Sequence, residues 1–465
     1  MFKKYIISTL LVFILSVSVT QISLATPEET AAQTEAEFVD DGTPAPHAKA
    51  ALLIDMKSDK VLFAKNENER MYPASTTKIL TSIIALENLA LDEVVTAQTE
   101  AISPITNKHS HMGILIGEEL TVEQLLYGTL VYSANDAANV LAVRIAGSLD
   151  AFAQMMNAKA AELGMQNSNF VNPHGFHDDN HYTTAADLAK VTKYAMQNEK
   201  FREIVKTDMH IMGPTNKYNE ERYLSNTNHL VSRRRQYQYF YDKAIGVKTG
   251  FTDEAGSCLV SAAVDGDTEL ISVVMNCKNT TMVANGAYSF VDSKRLLQYG
   301  FDNFKYITVA ATGDILSDSA VYEAKDNVRV VLTVETPISG LLPSDININD
   351  VVKNTVLNEK IAAPISKGDV LGTIECSYQG EVIGTANLIA TNDVEKDYIV
   401  AVIHLFIKTI TNPVFIILVL IFVWLIVSSK IRRAKKRKQR RSQLNHFNPD
   451  IYQPREREYQ RRRRR

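Results

Sequence analysis

Apolar and polar positions change period several times along this chain, and each change marks an element. KAALLIDM at 49–56 and VLFAKN at 61–66 are apolar runs separated by the polar stretch Lys57–Lys60, a pattern that predicts two neighbouring strands and a turn. ILTSIIALENL at 79–89 predicts a helix, with Pro73 placed just ahead of its start. Three more helical stretches follow: TVEQLLYGTLVY, opened by a Thr121…Gln124 capping box, then DAANVLAVRIAG and AFAQMMNAKAAELG. SCLVSAAV and ELISVVMNC flank the hairpin signal Asp265-Gly266-Asp267, and a helix around VDSKRLLQYGF closes the block near residue 304. Strands and helices mixed in this way predict an α+β domain over residues 47–304. From 305 to 395 the pattern becomes YITVA, VRVVLTVE, VLGTIECSY and VIGTANLIA between Gly, Asp and Lys turns, which predicts a small all-β domain.

Two apolar runs stand outside these domains. Residues 1–25 open with Lys3 and Lys4, continue apolar from Tyr5 to Val19 and end in Ser23-Leu24-Ala25, the layout of a secretory signal peptide. A retained N-terminal anchor is the alternative. PVFIILVLIFVWLIVS at 413–428 is uncharged, and with the residues before it reaches the roughly 20 needed to cross a bilayer. Residues 396–429 are therefore expected to be an apolar segment and a transmembrane helix. Charge gives its direction. The tail at 430–465 holds 16 Lys/Arg against three acids, whereas the body between Lys4 and the tail holds 32 basic and 50 acidic residues. Basic excess marks the cytoplasmic side, so the expectation is a single-pass membrane protein with its domains outside. An acidic body argues against nucleic acid as a partner, and the basic tail fits an anionic lipid bilayer instead. Residues 26–46, acidic and rich in Ala, Thr and Pro, read as a disordered linker. Three cysteines are too few for a disulfide scaffold, and two of them, Cys258 and Cys277, lie in strand-like runs as small core residues.

Three short motifs carry the chemistry. Ser75 and Lys78 form S-x-x-K at a predicted helix start, where positions three apart share a face. A serine there lies near unpaired backbone N–H groups and the positive end of the helix dipole. A buried lysine that stays neutral is the general base such a serine requires. Ser133-Ala134-Asn135 falls between two predicted helices, and Lys248-Thr249-Gly250 lies in a turn-and-strand context. Each motif occurs once, in the order S-x-x-K, S-x-N, K-T-G. Singly each is weak; together they are the set used by penicillin-binding proteins and class A β-lactamases.

With these motifs, NPHGF at 172–176, HYTTAADLA at 181–189, NTNHL at 226–230 and KTGFTDEAGSCLV at 248–260, the sequence resembles a low-molecular-mass penicillin-binding protein. That family comprises the serine-type D-alanyl-D-alanine carboxypeptidases of peptidase family S11. The resemblance spans about residues 47–395 and implies a β-lactamase/transpeptidase-like domain, an antiparallel sheet flanked by helices. It implies that Ser75 attacks the peptide bond between two terminal D-alanines, Lys78 takes its proton and Ser133 relays a proton to the leaving amine. Asn135 would hold Lys78 and the substrate amide. Lys248 would oppose protonation of Lys78, and Lys248 and Thr249 would face the substrate carboxylate, with Gly250 completing the motif. Backbone N–H groups of Ser75 and Phe251 would form the oxyanion hole. The implied partners are peptidoglycan stem peptides ending in D-Ala-D-Ala and, as covalent inhibitors, β-lactam antibiotics. No cofactor or metal is implied.

Two other readings share some of these features. A class A β-lactamase needs a deacylating glutamate in an E-x-x-L-N motif, and Glu162-Leu163-Gly164-Met165-Gln166-Asn167 does not match it. A penicillin-sensing receptor needs a cytoplasmic effector domain, and the 36 residues from Lys430 are too few and too charged to fold as one. His174, His177 and His181 have spacings that would suit zinc on a helix, but Pro173, Gly175 and Asp178-Asp179-Asn180 predict a loop. An additional arginine would suit the substrate carboxylate, and Arg233, Arg234 and Arg235 are indistinguishable by sequence.

Overall fold

The computed structural model describes residues 43–106, 109–234, 236–277 and 287–444. The expected signal peptide, most of the linker and the end of the basic tail lie outside the described residues. The chain forms two compact units, one of residues up to Ile307 plus Gly340–Ile346, the other of Thr308–Ser339 plus Asn347 onward.

The first unit is built on a five-stranded antiparallel sheet of β1 (Ala50–Asp55), β2 (Val61–Lys65), β3 (Ala244–Thr252), β4 (Gly256–Asp265) and β5 (Thr268–Cys277), in the order β2–β1–β5–β4–β3. Its strands lack a clean apolar–polar alternation because both faces are covered. In β1, Ala50, Leu52 and Ile54 enter one core while Ala51 and Leu53 enter the other. Successive side chains point to opposite faces, so a strand between two helical layers is apolar on both sides, as β1 is from Ala50 to Ile54.

On the first face lie α1 (Lys78–Asn88), α2 (Val122–Tyr127), α3 (Asn135–Ala146), α4 (Leu149–Glu162), α5 (Ala185–Ala195) and α6 (Glu199–Lys206). On the second lies α7 (Ala287–Asn303), whose Leu296 and Leu297 pack with Leu53, Leu270 and Val274. Caps fix where the helices begin. Thr121 and Gln124 exchange both hydrogen bonds of the capping box, and Ser148, Thr184 and Asn198 each accept one backbone N–H at the starts of α4, α5 and α6. Such a cap is worth about 1 kcal/mol. α3 is buried on all sides from Asn135 to Val143, so even its polar first turn lies in the interior. The helix expected over 121–132 changes at Gly128 into a π-helical turn, Gly128–Tyr132, which ends at Ser133.

The second unit contains an antiparallel sheet of β6 (Ser317–Ala320), β7 (Arg329–Val334), β8 (Val352–Leu357), β9 (Val370–Tyr378) and β10 (Glu381–Ala390), in the order β6–β7–β10–β9–β8. Here the alternation is visible: Ile374 and Cys376 are buried while Thr373 and Glu375, the residues before each, are exposed. Gln379 and Gly380 both take positive φ (50° and 86°) in the two-residue turn from β9 to β10, as a type I′ hairpin requires. Two helices follow, α8 (Tyr398–Thr411), capped by Asp397, and α9 (Pro413–Leu444). Among the described residues, one helix, Pro413–Ser442, is long and apolar enough to cross a membrane.

Candidate active site

The turn that carries Ser75 is a single 3-10 turn, Ala74–Thr77, running directly into α1. Ala74 has φ +47°, a left-handed conformation that is unusual for a residue with a Cβ and is held by the packing around it. Lys78, the first residue of α1, is fully buried. Its Nζ lies 2.8 Å from Ser75 Oγ, 2.7 Å from Asn135 Oδ1 and 2.9 Å from the His174 carbonyl oxygen. Burial pushes the Lys78 ammonium well below the usual lysine range; the nearby Lys248 charge pushes the same way, and Asp136 opposes them. A neutral amine has two N–H donors and one lone pair. In that form the two carbonyl oxygens, which can only accept, would take the N–H groups and leave the lone pair to accept from the Ser75 O–H.

Ser133 follows the π-helical turn with φ +70°, and α3 begins two residues later at Asn135. This left-handed residue turns the Ser133 hydroxyl towards β3, where it accepts from Lys248 Nζ at 2.9 Å. Ala134 between them is buried in the core, which explains an apolar residue at the centre of S-x-N. Lys248 is itself buried, and burial lowers its pKa to about 7. Its ammonium also donates to the Thr249 carbonyl at 3.1 Å.

K-T-G lies within β3, the edge strand of the sheet, rather than at a strand-flanking turn. Gly250 is there for space. A Cβ at that position would sit 2.8 Å from the Pro73 carbonyl oxygen and 3.1 Å from Ser75 N, so only glycine lets the strand lie against the nucleophile turn. Phe251, 58% exposed, directs its side chain outward. Ser75, Ser110, Ser133, Thr227, Thr249, Gly250 and Phe251 line one cleft, with a cavity volume of about 690 Å³. Five of the eight site residues expected from the sequence line it, and the other three, Lys78, Asn135 and Lys248, lie buried behind, with Lys78 hydrogen-bonded to Ser75 and Asn135, and Lys248 to Ser133.

Other groups at the site are less evident from the sequence. The loop NPHGF supplies a backbone carbonyl, that of His174, to Lys78. Asn172 Oδ1 accepts the N–H groups of His174 and Gly175, and a Cβ at Gly175 would fall 1.8 Å from the Ala74 carbonyl oxygen. Asp136, next to Asn135, is a buried carboxylate that accepts the backbone N–H groups of Met112, Ile114 and Ala137. His181 accepts from Val171 N–H at Nδ1 and donates through Nε2 to Thr77 Oγ1, 2.9 Å away. Burial lowers its pKa to about 4, which keeps it neutral. His177 packs edge-on against Tyr72, and the His174 ring accepts the Phe176 N–H. The three histidines therefore hold separate backbone and side-chain contacts, and among the described residues no group of His, Cys, Asp and Glu gathers as a metal site. Cys258 lies in the cleft wall, with burial raising its thiol pKa to about 11. Arg233 stacks on Phe240 and Arg234 pairs with Asp208; Arg235 lies outside the described residues.

A serine beside a buried lysine, faced by a second serine–lysine pair, is the arrangement of an acyl-transfer site of the penicillin-recognising class. Comparison with known proteins agrees. Residues 37–279 match the family described as D-alanyl-D-alanine carboxypeptidase, peptidase S11, and residues 304–396 match the family described as penicillin-binding protein 5, C-terminal domain. The D-alanyl-D-alanine carboxypeptidase DacF of Bacillus subtilis is 33% identical over 354 residues, 75% of this chain and 86% of that protein. DacC of Escherichia coli is 30% identical over 76% of this chain and 86% of its own length. Penicillin-binding protein 5 from Haemophilus influenzae superposes with a TM-score of 0.57 at 29% identity, covering 76% of this chain and 99% of that one. The chain belongs to the D-alanyl-D-alanine carboxypeptidase family, peptidase S11.

Proposed function

We propose that the chain is a serine-type D-alanyl-D-alanine carboxypeptidase that removes the terminal D-alanine from peptidoglycan stem peptides and is acylated by β-lactam antibiotics. Ser75 attacks the carbonyl between the two D-alanines and passes its proton to Lys78 Nζ. The oxyanion is held by backbone N–H groups of Ser75 and Phe251. As the C–N bond breaks, Ser133 relays a proton to the departing amine, leaving an acyl-Ser75 that water hydrolyses. Asn135 holds Lys78 and the substrate amide, while Lys248 and Thr249 face the terminal carboxylate beside Gly250. The steps need no cofactor.

One observation carries this reading: Lys78 Nζ, fully buried, lies within hydrogen-bond distance of Ser75 Oγ, Asn135 Oδ1 and the His174 carbonyl, so its neutral form would have a lone pair facing Ser75. Release of D-alanine from a peptide ending in D-Ala-D-Ala tests it. The purified protein is expected to release D-alanine and its Ser75→Ala variant to release none above background. A Ser75→Ala variant that keeps the wild-type rate overturns the assignment.

The second part of the proposal is the place of action. A cleaved signal peptide, a span within α9 and a basic cytoplasmic tail put the catalytic unit outside the cell membrane, on the side where the polymer lies. The continuous apolar stretch from Pro413 to Val427, followed by Lys430, Arg432 and Arg433, supports this orientation.

A further inference from the structure

Thr227, in the NTNHL segment, touches the K-T-G strand, and none of the steps above uses it. Its Oγ1 lies 2.6 Å from Thr249 Oγ1, and both hydroxyls line the cleft that holds Ser75. The segment is rigidly placed. Asn226 and Asn228, the residues on either side, are fully buried. Asn226 Nδ2 donates to the carbonyls of Val205 and Thr207 and its Oδ1 accepts from Asn228 N–H, while Asn228 Oδ1 accepts from Leu230 N–H. Thr227 N–H donates to the Val131 carbonyl, two residues before Ser133. Two asparagines thus lock the backbone and leave one hydroxyl facing the cleft.

We infer that Thr227 is a positioning residue for recognition of the substrate's terminal carboxylate, a reading that rests on the proposed function. The chemistry follows from the hydroxyl inventory. Each threonine has one O–H to donate and lone pairs to accept. A carboxylate only accepts, so Thr249 must spend its O–H on the ligand; the Thr227 O–H then donates to Thr249 Oγ1. A hydroxyl that accepts in this way is polarised and becomes the better donor. The pair acts as one directed O–H beside the Lys248 ammonium. Of the two described arginines in the 233–235 run, Arg233 stacks on the Phe240 ring at 4.5 Å and Arg234 pairs with Asp208 at 3.3 Å.

The test compares two peptides, one ending in D-Ala-D-Ala with a free carboxylate and one ending in the corresponding amide, using the full chain. The wild type is expected to prefer the acid. Thr227→Val, close in shape but without the hydroxyl, is expected to raise KM for the acid about fivefold, as for loss of one hydrogen bond between neutral groups. Its kcat should fall less than threefold, and the acid-over-amide preference should shrink by the same factor as the KM change. Thr227→Ser should recover the preference, and Thr227→Ala supplies the same comparison should the valine variant not fold. A role confined to folding would lower activity on both peptides alike and leave their ratio unchanged. That outcome, or an unchanged KM in a folded Thr227→Val, overturns the inference while D-alanine release by the wild type leaves the proposed function standing. A wild type that releases no D-alanine overturns both.

Discussion

Lys78 and Lys248 are two lysines buried within one site, and their charges govern both its chemistry and its stability. Lys248 repels protonation of Lys78, although burial is the larger cause of the lowered Lys78 pKa. Replacing Lys248 by methionine removes that repulsion, so the Lys78 pKa rises and the acidic limb of the penicillin acylation rate should move to higher pH. A limb that stays in place would show that the two lysines are not coupled. Lys78→Arg keeps a charge that cannot be given up near neutral pH, and acylation should drop by orders of magnitude. Stability follows by linkage. With its pKa lowered from 10.5 to about 7, Lys248 leaves the folded state holding fewer protons than the unfolded chain between those values. The stability penalty from Lys248 therefore eases as pH rises across that window and is complete below about pH 7. Lys248→Met should raise the Tm most at and below neutral pH, with the advantage closing as pH approaches 10.5.

At the scale of elements, the site depends on close approaches of backbone to backbone. Gly175→Ala would place a methyl group 1.8 Å from the Ala74 carbonyl oxygen at a residue with φ +84°. A loss of about 2–4 kcal/mol is expected in a thermal or denaturant melt, with loss of acylation as the nucleophile turn shifts. Gly213→Ala meets nothing within 4 Å and should stay within about 0.5 kcal/mol. Equal effects from the two changes would refute the packing argument. The elements themselves were largely legible. The capping box at Thr121, the hairpin around Gly266 and the apolar helix after Pro73 are local signals, and all three form as read. The π-helical turn at Gly128–Tyr132 was not legible. A 12-residue apolar pattern predicts one continuous helix, and what aims Ser133 at Lys248 is a contact across 115 residues of sequence.

For the whole molecule, side chains with a motif were found and groups without one were missed. Ser75, Lys78, Ser133, Asn135 and Lys248 announce themselves by residue type and spacing. The His174 carbonyl does not, because a backbone oxygen carries no residue signature. Asp136 and Thr227 are ordinary residues until the chain brings Met112 and Thr249 to them. The C-terminal helices were visible from composition alone, and their role is testable by truncation. A protein ending at Lys396, before α8 and α9, should partition into the soluble fraction. It should release D-alanine from a small peptide within about threefold of the full chain, since a change under about 1 kcal/mol in the barrier is expected from parts outside the site. A truncated protein that stays membrane-bound would place the anchor at the N-terminus instead.

The central claim is that Ser75 is the nucleophile and is activated by Lys78. The most direct measurement is mass spectrometry of the protein after incubation with a penicillin, with the adduct located by peptide mapping. A single covalent adduct on Ser75, absent in Ser75→Ala and formed orders of magnitude more slowly in Lys78→Arg, is the expected result. An adduct on any other residue, or one that persists in folded Ser75→Ala protein, would contradict it.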